Sequence, residues 1–154
     1  MKEQLFLTYT AGFFDADGSV GVYFSKRKGP GHSFGGEFFL HMTLYQRQWM
    51  SIFQEWHDRW GGGLHPRSEK GERRGWEWHL VGHSALGFLK DVLPFLRKKR
   101  EQARLAILFQ ERKAASTLGN GGPGANMPLE EFEWRKGISD QIKALKRSKV
   151  PRQS

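Results

Sequence analysis

The chain of 154 residues contains no cysteine. No disulfide can staple it and no thiolate can hold zinc, which removes zinc fingers, zinc knuckles and zinc deaminases from the classes open to it. Any metal must sit on oxygen or imidazole. Long apolar runs are missing too: none approaches the length of a bilayer crossing, and Lys2 and Glu3 open the chain without a secretory signal. The expectation is a soluble, intracellular protein of a prokaryotic cytoplasm or an organelle, with no membrane partner. Acidic residues are scarce, 16 against 25 Lys and Arg, so the net charge is +9 and the pI about 10.0. A polyanion is the expected partner. The length suits a single domain over 1–154.

Residues 4–15 repeat at helical spacing. Thr8, Ala11, Gly12 and Asp15, at i, i+3, i+4 and i+7, form one stripe of small residues that reads as a helix-to-helix contact, and Leu5, Phe6, Tyr9, Phe13 and Phe14 cover the rest. Gly18 ends the helix. Residues 19–25 alternate as a strand, "KRKGPGHSFGG" (26–36) is a basic hairpin loop, and "EFFLHMTLYQ" (37–46) alternates back with a polar and aromatic outer face. Helical spacing returns over 48–60 and stops at "GGG". A basic, turn-rich stretch "LHPRSEKGERRG" then leads to the strand "WEWHLV", followed by helical segments at 84–93, 95–113 and 129–147. The segment 114–128 reads as an exposed loop, and 129–154 as a C-terminal helix with a basic tail. The order α-β-β-α-β-β-α-α-α predicts an α+β fold, one antiparallel sheet with helices on one face and the other face wet.

Asp15 and Asp17 stand at the C-terminal end of the first helix, where carbonyl dipoles are already negative. Two carboxylates there need a cation, and oxygen ligands suit Mg²⁺. A lone Asp-x-Asp is more often ordinary helix termination. Its surroundings alter that reading. "TAGFFDADG" (10–18) resembles the LAGLIDADG signature, with Thr10 in place of the leading Leu and Phe13 and Phe14 as the paired apolar residues. "LPFLRKKREQA" (93–103) is similar to the family's Pro-x-Leu-x-x-Lys-x-x-Gln segment, and "DQIKALKRSK" (140–149) is similar to the C-terminal part of its single-motif branch.

The resemblance to LAGLIDADG homing endonucleases implies the αββαββα fold, with the sheet as a DNA-binding saddle. It implies metal-dependent cleavage of a long, near-palindromic duplex site with short 3′ overhangs. One signature copy implies a homodimer, paired through Thr8, Ala11, Gly12 and Asp15, with Asp15 the structural acid at the helix interface. Asp17 becomes the metal ligand with the Ala16 carbonyl as a second oxygen, for Mg²⁺, with Mn²⁺ substituting and Ca²⁺ binding without efficient cleavage; no small-molecule cofactor is expected. Lys99 matches the active-site lysine through its registry with Pro94, Leu96 and Gln102. Gln46 matches a water-ordering glutamine. The basic residue that follows it aligns with Arg47 or, at the other offset, Gln48, and Arg47 is preferred. RNA maturases and non-cleaving DNA-binding regulators are the alternatives on this fold.

Alternate exposed strand residues point into a groove when a two-stranded ribbon lies along it. Tyr23, Ser25, Arg27, Glu37, His41, Thr43, Arg67, Glu69, Glu77 and His79 are the candidates for base edges; Lys26, Lys28, Arg73, Arg74, Lys146 and Lys149 are the candidates for phosphates. Trp56, Trp60, Trp76 and Trp78 fall on apolar faces and read as core rather than as base-stacking platforms. His32, His57, His65 and His83 show no ligand spacing, and the one Glu-x-Lys pattern, Glu111 to Lys113, lies in a helical stretch.

Overall fold

The computed structural model describes residues 2–29, 32, 34–116 and 127–147. Helix α1 (Lys2–Asp17) passes without a loop into β1 (Gly18–Lys26), and the chain returns along β2 (Gly36–Gln46). Helix α2 (Ile52–Trp60) leads to the hairpin β3 (Gly63–Glu69) and β4 (Glu72–Val81). Three helices follow: α3 (Gly82–Val92), α4 (Arg100–Ala115) and α5 (Leu129–Arg147), with a 3₁₀ turn at Leu93–Phe95. The strands form one antiparallel sheet in the order β1-β2-β4-β3, so the two hairpins join through their second strands. Element order and sheet are those expected.

Period-two alternation sets the two faces of the sheet. On β2, Phe38, Leu40, Met42 and Leu44 are buried while Glu37, Phe39, His41 and Thr43 stay partly open. Val20 and Val22 of β1 and Trp78 and Leu80 of β4 continue the buried side, which α1, α2 and α3 cover with Phe14, Phe53, Trp56, Phe88 and Leu89. Trp56 and Trp78 stack at 5.5 Å. Their ring N–H groups donate to Thr10 Oγ1 at 2.9 Å and to the Gly61 carbonyl at 2.8 Å, so two buried donors are satisfied. Trp56 and Trp78 are core and Trp60 and Trp76 pack against it partly buried, as read from the sequence. Ser139 of α5 donates its hydroxyl to the Val22 carbonyl and ties the last helix to β1.

Three local expectations change. The segment "LHPRSEKGERRG" is almost entirely a strand pair, reversed by the two residues Lys70 (φ 52°) and Gly71 (φ 80°), a left-handed pair that matches the twist of a tight hairpin. From His65 to Arg74 this hairpin is exposed and projects from the sheet. The helix predicted over 48–60 begins only at Ile52. The helix predicted over 95–113 begins at Arg100, because Leu96 is extended, drives its side chain into the core, and leaves the next residues to be held by Asp15. Ala114 and Ala115 are still helical, whereas 117–126 and the tail beyond Arg147 lie outside the described residues. Among the described residues no helix is long and apolar enough to cross a membrane.

Candidate functional site

Because α1 runs directly into β1, its C-terminal end is pinned to the sheet. Gly18 opens β1 opposite Leu44, which puts Gln46, the last residue of β2, beside the helix end. Gln46 Nε2 donates to Asp17 Oδ2 at 2.7 Å. Among the described residues, the other Asp17 oxygen accepts no hydrogen bond, and the residue is exposed. Ala16 is exposed next to it and lines a shallow hollow with Thr8, Tyr9, Gly12, Phe13 and Asp17.

Asp15 points the other way. Its Oδ2 accepts from the Arg97 N–H at 2.8 Å and its Oδ1 from the Lys99 N–H at 2.9 Å, while Lys99 Nζ donates to the Asp15 carbonyl at 2.6 Å. Lys99 stands at the N-cap position of α4 without a side-chain capping bond, so the Asp15 carboxylate lies where helix dipole and free amides favour negative charge. This resolves half of the electrostatic problem raised by the two acids: Asp15 is neutralised from within the chain. Lys99 is only 8 % exposed. Burial, and then Lys98, push its ammonium below the ordinary lysine range, against the pull of Asp15 and Asp17. Positions 15, 17, 46 and 99 therefore meet at one point. Arg47 is exposed one residue past Gln46 and, among the described residues, has no ion pair.

The stripe drawn on α1 needs correction. Ala11 is fully buried in the chain's own core and the Asp15 carboxylate is turned inward, so neither presents itself to a second helix. Thr8 and Gly12 remain exposed, joined by Leu5 at 65 % and Tyr9 at 51 %. The exposed line is Leu5, Thr8, Tyr9, Gly12 and Ala16. Helical spacing alone could not separate two small-residue faces one position apart.

Cross-strand register defines the open face of the sheet. Tyr23 faces Phe39, Ser25 faces Glu37, Thr43 faces His79, Tyr45 faces Glu77 and Glu77 faces His65. Of the candidate base readers, Tyr23, Ser25, Glu37, His41, Thr43, Arg67, Glu77 and His79 share this face. Arg27 pairs with Glu37 at 3.3 Å and Arg67 with Glu77 at 3.5 Å. Lys26 and Lys28 are exposed at the end of the first hairpin, and Glu69 and Arg74 lie 3.9 Å apart at the second. Arg73 departs from this plan, since its guanidinium lies 5.1 Å from the ring of Trp76, a residue of the core-facing side. Lys146 reaches in from α5 to Tyr23 Oη at 3.1 Å and Ser19 Oγ at 3.3 Å. Lys149 lies outside the described residues. Burial and the neighbouring His79 hold His41 below the ordinary histidine range. Ser19, Phe39, Tyr45 and His65 share the face without having been singled out. The first three were legible as every second residue, whereas His65 needed the pairing of β3.

No protein-family model matches the chain and no curated protein matches it in sequence. Solved structures do. The homing endonuclease I-CvuI, in complex with the I-CreI target in the presence of Mg with the DNA not cleaved, superposes with a TM-score of 0.74 at 20 % identity, covering 99 % of this chain and 88 % of that one. The archaeal intron-encoded homing endonuclease I-Vdi141I, complexed with DNA, gives a TM-score of 0.71 at 12 % identity over 99 % and 91 % of the two chains. The LAGLIDADG meganuclease I-AabMI, bound to uncleaved DNA, gives 0.62 at 17 % identity, covering 86 % of this chain and 44 % of that one. The chain has the fold of the LAGLIDADG homing endonucleases.

Proposed function

We propose that this chain is a homodimeric homing endonuclease that binds a long, near-palindromic double-stranded DNA site inside the cell and cuts both strands by metal-dependent hydrolysis, leaving short 3′ overhangs. The observation that carries the reading is the convergence of Asp17, Gln46 and buried Lys99 at the end of α1, beside a sheet whose hairpins present Lys26, Arg27, Lys28, Arg67 and Arg74. The Asp17 carboxylate and the Ala16 carbonyl are hard oxygen donors, exposed where helix carbonyls add negative potential. That donor set fits Mg²⁺, with Mn²⁺ as a substitute and Ca²⁺ as an occupant that supports cleavage poorly. When bound, such an ion supplies positive charge and activates water for attack on phosphorus.

The chain's own residues do the rest. Gln46 orients the Asp17 carboxylate through its amide N–H and keeps its amide oxygen for water. Lys99, anchored on the Asp15 carbonyl, holds a fixed cation for charge that develops on the phosphoryl oxygens. Arg47 is the second basic residue, free to approach a phosphate. On the sheet, Arg27 and Arg67 leave their surface carboxylates for guanine edges, while Lys26, Lys28, Arg74 and Lys146 meet phosphates. Dimerisation follows from α1, which is apolar on both sides: Phe14 and Ala11 face the core, Leu5 and Tyr9 face outward, and a helix of that kind is expected to be covered.

The test is cleavage of labelled duplex spanning the uninterrupted insertion locus in Mg²⁺, beside a gel shift in Ca²⁺. Asp17→Asn is expected to bind and not cut, a loss of about a thousandfold or more. Wild-type rates in that variant would remove the metal assignment, and wild-type protein that binds without cutting would make the chain a DNA-binding regulator instead.

A further inference from the structure

On the open face of the sheet, two strands across from the point where α1 enters β1, three ligating side chains gather. His65 of β3 stands directly across from Glu77 of β4, and His79 lies two residues further along β4 on the same face. One ligand atom from each lies within 4.8 Å of the other two. His65 Nε2 is 3.7 Å from Glu77 Oε1, and the two imidazole rings are 5.2 Å apart. Gly63 is part of the arrangement: it faces His79 in the register, and a Cβ there would stand 2.2 Å from the imidazole. The glycine lets the ring lie down over β3, toward His65.

We propose that His65, Glu77 and His79 form a second metal site, for Zn²⁺ or a related borderline divalent ion, that cross-links the exposed β3–β4 hairpin at its base. Two imidazole nitrogens and one carboxylate oxygen are a zinc donor set with a position left for water, and a poor one for Mg²⁺. Donors around a tetrahedral zinc stand about 3.3 Å apart. The present separations close to that by rotating side chains, and His65, 47 % exposed, is free to turn. Arg67 engages Oε2 of Glu77, leaving Oε1 for the metal and serving as the outer partner that orients the carboxylate. The site uses none of the residues at the α1 end, and because Arg67, Glu77 and His79 also stand on the face proposed to meet DNA, it is a property of the DNA-free chain, in which Arg67 stays on Glu77.

The experiment uses the full chain without an oligohistidine tag, in buffer free of Mg²⁺. Calorimetry with Zn²⁺ alone is expected to show one saturable ion per chain, and Co²⁺ to give the visible absorption of a four-coordinate site. Asp17→Asn should bind with wild-type affinity, and excess Mg²⁺ should not compete. His65→Asn and His79→Asn should each weaken binding about tenfold or more, with circular dichroism checking that both remain folded. Glu77→Gln gives a further reading should either histidine variant fail to fold. Absence of saturable Zn²⁺ binding, or folded ligand variants that keep wild-type affinity, overturns the proposal.

Discussion

At the C-terminal end of α1, polar side chains are held by backbone or by partners far away in sequence: Asp15 by the amides of Arg97 and Lys99, Lys99 by the Asp15 carbonyl, Asp17 by Gln46. On the open face of the sheet the charged groups hold one another. Arg27 with Glu37, Arg67 with Glu77 and Arg74 with Glu69 are pairs at 3.3–3.9 Å in which every arginine is more than half exposed. Pairs of that kind contribute about 0–1 kcal/mol each, so a phosphate or a base can displace them cheaply. Hydrogen bonds between a charged group and backbone in a half-buried setting are worth about two to three times more and are directional. One region is built to keep atoms in place and the other to exchange partners, a division that suits the chemistry and the recognition proposed for them.

Breaking the first region should have the larger effect. Lys99→Met is expected to lower the cleavage rate about a hundredfold to a thousandfold while metal binding survives, because only transition-state charge stabilisation is removed. Wild-type cleavage should also fall at alkaline pH, below the ordinary lysine value of 10.5, since burial depresses the Lys99 pKa and only the protonated form carries charge. That limb should vanish from the pH profile of the variant. A profile unchanged by the substitution would place Lys99 outside the chemistry.

Gly12→Leu acts on the outward side of the same helix. A Cβ at position 12 meets nothing within 4 Å inside the chain, so the fold should tolerate the substitution. The proposed dimer should not: sedimentation should show a dissociation constant raised about a hundredfold, as close backbone approach is lost. Asp15→Asn is expected to be milder and of a different kind. Both carboxylate oxygens accept backbone N–H groups, and an amide offers one acceptor and turns its own hydrogens toward a donor. The cost should be about 2 kcal/mol, read as a melting temperature lower by about 4–8 °C, with Lys99 function falling alongside. Arg67→Ala on the open face should leave stability within about 0.5 kcal/mol and weaken DNA binding by about tenfold, with discrimination lost at a single base pair. A stability loss there larger than that at Asp15 would invert the comparison.

Much of this was legible from the chain. The alternation of Phe38, Leu40, Met42 and Leu44 identified the buried face of β2, the same rule placed Tyr23, His41, Thr43 and His79 on the open face, and the tryptophans were assigned to the core on apolar spacing. Where expectation failed, a distant partner had overruled local pattern. The charge run at 97–100 reads as a helix, and Asp15, more than 80 residues away, captures two of its amides and delays the start of α4. His65 shows no ligand spacing along the chain, and strand register brings it opposite Glu77. Ala11 and Gly12 look alike in a small-residue stripe, and only packing makes one core and the other surface.

By itself, the sequence determined the net charge of +9 that sets the expectation of a polyanionic partner, the element order through its two periodicities, and the resemblance of "TAGFFDADG" to the signature of a nuclease family. These are properties of composition and of neighbours along the chain, which propensity and burial read locally. Only the tertiary structure decided which of the two acids stays exposed, which lysine of the run is buried, and which imidazoles share a face. Each of those depends on where a helix end, a strand end and a loop meet, and that meeting is settled by the packing of Phe14 and Leu96 into the core with the sheet.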